Sequence, residues 1–213
     1  MLNNDEFKQV TIENGLDFLR QISVPVDINN DEELSDNIKV LETYCKKADV
    51  LAMAAVQLWI PKRIIYLKNT NLEIINKMQN DTATEEEKSF DEGRVLINPV
   101  VIKREGLTDY WEACDSCLDN FGKVYRPFKI TLEYYDPTGE KHLEEFVKFE
   151  ATVLSHELDH LDGVLHMDVA VELYVKNVDE RKAWRKMEGN GYNVHSETGD
   201  YEKLKEEIIK KRH

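Results

Sequence analysis

Residues 149–165 constrain this chain most. Phe149, Val153, Leu154, Leu158, Leu161 and Leu165 recur at helical spacing, and Gly163 is placed to end the helix. A helix with such a stripe packs against a core. Beside the stripe fall His156 and His160, with Glu157 between them, in the pattern H-E-x-x-H. Histidines at this spacing lie one above the other on a helix face, so both imidazoles reach a single metal ion and the glutamate can hold a water on it. The same pattern also occurs on solvated helix faces, but the apolar stripe argues for ligation here.

A hydrolytic metal site needs a third protein ligand, and two kinds are available. His166 completes H-E-x-x-H-x-x-G-x-x-H, the arrangement of metzincin proteases. The alternative is a thiolate from Cys114 or Cys117, in the run Trp111-Glu-Ala-Cys-Asp-Ser-Cys-Leu118 ahead of an expected hairpin turn at 119–122. On a strand these two cysteines would point to opposite faces, so only one could ligate.

Three motifs in order resemble those of the peptide deformylase family: Val50-Leu-Ala-Met-Ala-Ala-Val-Gln57, Glu112-Ala-Cys-Asp-Ser116 and His156-Glu-Leu-Asp-His-Leu-Asp-Gly163. Leu19-Arg20, Pro25-Val26, Arg63-Ile64-Ile65, Leu96-Ile-Asn-Pro99 and Val124-Tyr-Arg126 fit between them, so the resemblance covers about residues 16–169. The third motif matches at every specified position. The family pattern has glycine where this chain has Val50, Ala52 and Ala113, and leucine where it has Asp115. Glycine serves close backbone approach, so Val50 and Ala52 imply a narrower substrate groove.

The resemblance implies an α+β fold with antiparallel sheets packed around a central helix carrying the HExxH motif, and hydrolysis of the formyl group of N-formylmethionyl peptides. It implies Cys114, His156 and His160 as metal ligands, with Cys117 as the competing register. Glu157 would be the general base, Gln57 and the backbone of Asp115 the oxyanion donors, and Ala52, Met53 and Val56 the substrate-binding residues. Fe2+ is the implied metal, and Zn2+ or Ni2+ can replace it in purified protein. A ribosomal contact near the nascent-chain exit is an implied partnership. Two alternatives are a metzincin-like protease using His166 and a low-activity metal-binding homologue. The first is disfavoured by the polar N-terminus MLNNDEFKQV, which lacks an export signal, and by the absence of a Met-turn.

Composition agrees with one cytoplasmic domain over 1–213. No linker-like stretch divides the 213 residues, and three cysteines without a paired framework suit a reducing compartment. The net charge of −14 argues against DNA binding, and no apolar run is long enough to span a membrane. A helix is expected from Asn30, capped through Asn30 and Glu33, with Leu34, Ile38, Leu41 and Cys45 inward. Strands are expected at 63–68, 95–103, 129–135 and 142–146, with Asp136-Pro-Thr-Gly139 joining the last two. Residues 71–93 read as a solvated insertion, and 170–213 as a charged extension with helices at 176–187 and 201–213 around a break at 188–193. Its basic residues read first as a solvated helix face and second as a surface for ribosomal RNA. His142, His195 and His213 read as surface residues, and Cys45 as core.

Overall fold

A computed structural model describes residues 8–68 and 93–210. The expected insertion therefore lies, apart from Gly93, outside the described residues, as does His213. The described elements are helices α1 (Leu16–Leu19) and α2 (Leu34–Ala48), then strands β1 (Ala52–Ala54), β2 (Ile64–Leu67), β3 (Arg94–Ala113), β4 (Asn120–Arg126), β5 (Lys129–Tyr135) and β6 (Lys141–Val147). Helices α3 (Phe149–Leu161) and α4 (His166–Val169), strand β7 (Glu172–Val175), helix α5 (Val178–Arg185), strand β8 (Asn193–Asp200) and helix α6 (Tyr201–Lys210) complete the chain.

The expected plural sheets are a single antiparallel sheet of eight strands, because β3 is 20 residues long and changes partners along its length. Its first half pairs with β2 and β5, and its second half with β4 and β8. A reading that follows apolar residues ends this strand at residue 103. The second half buries Thr108, Asp109 and Glu112 among Leu107 and Trp111, so polar residues there hide the strand's continuation. Gly106, at φ +70°, lies where the partners change, and a Cβ there would meet the Ser196 carbonyl at 2.5 Å.

One face of α3 buries Leu154, Leu158 and Leu161 against Ala54, Ile65, Leu96, Leu132 and Phe146. Each such side chain contributes about 1.5–3 kcal/mol by leaving water. Helix α2 places Leu41 and Cys45 against Met53, Ile64, Tyr66 and Val95. Burial pushes the Cys45 thiol well above its ordinary range, as a core cysteine should show.

Three local expectations are corrected. Helix α2 begins at Leu34 with no side-chain cap, because the Asp27 carboxylate accepts the N–H groups of Asn29 and Asn30 (3.1 and 3.2 Å) and folds that segment into its own turn. The β3–β4 turn lies before Asn120, around a short 3-10 helix at Asp115–Cys117, and Gly122 is already in β4. Its missing side chain admits Ala170, whose Cβ would lie 2.7 Å from a Cβ at Gly122. Glycine here marks close packing of β4 against the segment that leads from α4 into β7, not a hairpin turn.

The third correction concerns the C-terminal extension, which is folded onto the body. Asn177 caps α5 by accepting the N–H groups of Asp179 and Glu180, and β8, unforeseen in the sequence, pairs with β3. Tyr201 is buried and donates from Oη to the Tyr125 carbonyl (3.0 Å). His195 is exposed, as expected of a surface residue, and bonds from Nε2 to the buried Asp109 carboxylate (2.5 Å). His142 bonds Asp136 (2.9 Å) in the expected β5–β6 turn.

Gly163 follows α3 at φ +73°, and an added Cβ would lie 2.3 Å from the Arg20 carbonyl. Gly189, at φ +77°, would place its Cβ in open space. Gly163→Ala is therefore expected to cost about 2 kcal/mol or more and Gly189→Ala about 1 kcal/mol. Urea titration of both variants checks the order; equal costs would remove the close approach as the cause.

Candidate active site

Helix α3 and the end of β3 bring the sequence-nominated residues together. Cys114 follows the last residue of β3 in extended conformation, while Cys117 sits in the 3-10 turn, so the two are not alternate positions of one strand. Sγ of Cys114 lies 3.3 Å from Nε2 of His160. Ligand atoms of Cys114, His156 and His160 all fall within 4.8 Å of one another. Cys117 is not in that group; it shares with Cys114 an apolar cluster of Val10, Leu19 and Leu165. His166 stacks its ring on His156 (centroids 5.7 Å, 25°) and meets the Asn120 carbonyl at 3.2 Å; it is outside the converging cluster.

A thiolate and two imidazoles on one point form a donor set that suits Fe2+ or Zn2+ and leaves a fourth position for water or substrate. His156 Nδ1 is engaged by Glu112 Oε2 at 2.9 Å, which turns the opposite ring nitrogen inward. His160 is fully buried and its Nδ1 has no partner among the described residues. Burial pushes the His160 pKa down, which favours the neutral, ligating form.

Behind the ligands stands a buried ion network. Arg126 donates from Nε and Nη2 to Glu112 (2.7 and 2.9 Å) and from Nη1 to Asp159 (2.6 Å). Burial by itself would raise the Glu112 carboxyl, but the Arg126 guanidinium and His156 hold it well below the usual carboxylate range. Burial likewise opposes the charge on Arg126, and its two carboxylates outweigh that penalty.

Glu157 is 5 % exposed, and burial pushes its carboxyl up to about 7. Its Oε2 accepts the Ala54 N–H at 2.8 Å. Gln57 Oε1 accepts the same N–H (3.0 Å), which aims its amide at Ser116 Oγ (3.1 Å) and Cys114 Sγ (3.4 Å). A cavity of about 420 Å³ opens beside these groups, with Val50, Ala52, Met53, Gln57 and Asp115 on its wall. Val56 is not part of that wall. It is fully buried in the core with Ile65 and Leu154, on the inner side of the turn after β1.

Residues 10–176 match the family model for polypeptide deformylase. The chain belongs to the polypeptide deformylase family. It is 36 % identical over 156 residues to the peptide deformylase of Pelagibacter ubique, covering 73 % of this chain and 81 % of that one. It is 37 % identical over 158 residues to that of Rhizobium meliloti, covering 73 % and 80 %. Among solved structures, a probable peptide deformylase from Synechococcus phage S-SSM7 superposes with a TM-score of 0.63 at 27 % identity, over 77 % of this chain and 99 % of that one. The peptide deformylase of Synechococcus elongatus in complex with actinonin gives 0.62 at 26 % identity, over 84 % of each chain.

The family match extends beyond the motif-bearing span 16–169 at both ends, yet stops before α5. Sequence reading missed Arg126 as a support for the site, although it stood in a quoted match. It also missed Arg181, Lys182 and Arg185 of α5, which line the cavity. Nothing local signals their place, since it depends on how the extension folds back.

Cys114→Ser is expected to abolish tight metal binding, while Cys117→Ser and His166→Ala retain it. Metal stoichiometry by elemental analysis after anaerobic purification decides this. Loss of metal in His166→Ala with Cys114→Ser unaffected would overturn the ligand assignment.

Proposed function

We propose that the cavity binds N-formylmethionyl peptides and that the chain hydrolyses their formamide C–N bond, releasing formate and a free N-terminal amine. The observation that carries this reading is the convergence of Cys114, His156 and His160 beside the buried carboxylate of Glu157, within a deformylase-family chain. Fe2+ is the metal proposed for the cell, and Zn2+ or Ni2+ for protein purified in air. Held by these three side chains, a divalent metal would supply Lewis acidity that lowers the pKa of water and polarises the formyl carbonyl.

Glu157 handles the proton. With Oε2 occupied by the Ala54 N–H, the second oxygen takes the proton of the attacking water and returns it to the departing nitrogen. A carboxyl near 7 suits both steps at neutral pH. In this reading the Gln57 amide, fixed through Oε1, and the backbone N–H of Asp115 stabilise the oxyanion that develops on the formyl oxygen.

Strand β1 has β2 on one side and ends the sheet on the other, so its outer edge can pair with an extended substrate backbone. Ala52 and Met53 lie on that strand and on the cavity wall, and Val50 precedes it. Ala52 and Met53 form the methionine pocket as the resemblance implies, with Val50, Phe149 and Val153 in the part expected of Val56. Among the described residues no helix is long and apolar enough to cross a membrane, and all three cysteines are free. We place the reaction in the cytoplasm, close to the ribosome where formylated chains emerge.

Glu157→Gln should keep its metal and lose formate release by at least ~10²-fold, the low end for general acid–base catalysis. A variant retaining a tenth of wild-type turnover would require another base.

Val50→Gly with Ala52→Gly should raise kcat/KM for formyl-Met peptides if these side chains crowd the peptide-binding edge, at a stability cost of up to ~1 kcal/mol per glycine. A folded double variant with unchanged or lower kcat/KM would dismiss crowding.

A further inference from the structure

We propose that helix α5 gives the catalytic cavity a carboxylate-recognising wall, so that formyl peptides carrying an anionic group downstream of the methionine are the preferred substrates. This rests on the deformylase reading of the cavity and adds to it a determinant outside the family match, which ends at residue 176.

Arg181, Lys182 and Arg185 project from α5 onto the same cavity as Cys114, His156 and Glu157. None of the three forms an ion pair among the described residues. In a chain with 42 acidic and 28 basic side chains, three unpaired cations on one short helix are unexpected. Two of them are held rigidly by neutral partners. Arg185 donates from Nε and Nη2 to the Trp111 carbonyl (3.0 and 2.7 Å), and its guanidinium lies 5.0 Å from the ring centres of both Tyr110 and Phe121. Arg181 donates to the Leu118 carbonyl (3.0 Å).

Carbonyls and aromatic faces fix a guanidinium without neutralising it. The charge remains available to a ligand. The anchoring carbonyls of Trp111 and Leu118 lie on either side of Cys114 in sequence, so α5 is tied to the hairpin that carries the thiolate.

Carboxylates on the same wall do not cancel these cations. Asp49 is held by Lys68 (2.7 Å), Glu112 by Arg126, and Glu157 faces the ligand cluster. Exposed Asp115 can offset one cation at most. A partly enclosed guanidinium beside such a cavity selects a planar carboxylate, because it offers paired N–H donors. That carboxylate has two sources in a formyl peptide: an Asp or Glu side chain, or the free C-terminus of a short peptide.

The test uses metal-loaded full-length protein and formyl-Met-Ala-Ala-Ala amide, with Glu or Gln placed in turn at the second, third and fourth positions. The all-alanine peptide with a free carboxylate is compared with its amide. At one position at least, Glu should lower KM relative to Gln by roughly three- to ten-fold. A preference for the free carboxylate alone would assign the wall to short peptides.

The Glu/Gln ratio should collapse in Lys182→Gln with Arg185→Gln and invert in Lys182→Glu, whose exposed site spares the fold. It should also shrink as salt rises. Equal KM values throughout in the wild type, or a ratio unmoved by these substitutions, would overturn the proposal. Equilibrium binding of the same peptides to Glu157→Gln separates the two readings. A carboxylate preference in binding with no formate release from any peptide would fail the deformylase reading alone; formate release without preference would fail the α5 proposal alone.

Discussion

The buried Arg126 guanidinium joins the two pieces of structure that make the site. It reaches Glu112 on β3 and Asp159 on α3, and Glu112 in turn holds His156. Burying these charges is costly, and their attraction repays the cost only because the geometry is bidentate on one side and short on the other. Such a network adds little net stability compared with a well-packed apolar core. What it fixes is orientation: the strand that ends at the thiolate and the helix that presents both imidazoles are held in one relation. An apolar replacement would fill the space without setting the tautomer or ring direction of His156.

The same requirement explains the shape of β3. Its first half pairs with β2 and β5, and its second half, paired with β4 and β8 in the same sheet, carries Glu112 and leads to Cys114. Gly106 sits at the change of partners. Thr108, Asp109 and Glu112 are buried there because each has a partner from another element: the Arg126 carbonyl, Asn193 with His195, and Arg126 itself. A site that must hold charged groups still cannot be enclosed by apolar residues alone.

That trade also sets what the sequence could and could not reveal. The spacing of His156 and His160 on an apolar stripe is a local property of a helix, and the resemblance to the deformylase motifs nominated Cys114 and Gln57; both signals survive without tertiary context. The continuation of β3 past residue 103 was hidden by its buried polar residues, whose burial depends on partners distant in sequence. Asn30 looked like a helix cap because its spacing to Glu33 is right, but the nearby Asp27 carboxylate captured the backbone first. Val56 was expected in the pocket from the family resemblance, yet the short helical turn there directs it into the core. Adjacency along the chain says little about direction where strand passes into turn.

Helix α5 shows the same limit from the other side. Its composition, with five charged residues in eight, is that of a solvated helix, and periodicity offers no reason to bury it. The decisive contacts are made by Arg181 and Arg185 with backbone carbonyls and aromatic faces, partners that no charge count registers. Long basic side chains can pack through their stems and planar heads while keeping their charge. A charged segment can therefore be part of a cavity wall without a carboxylate partner, and its place in this fold follows from groups that the hairpin around Cys114 already had to expose.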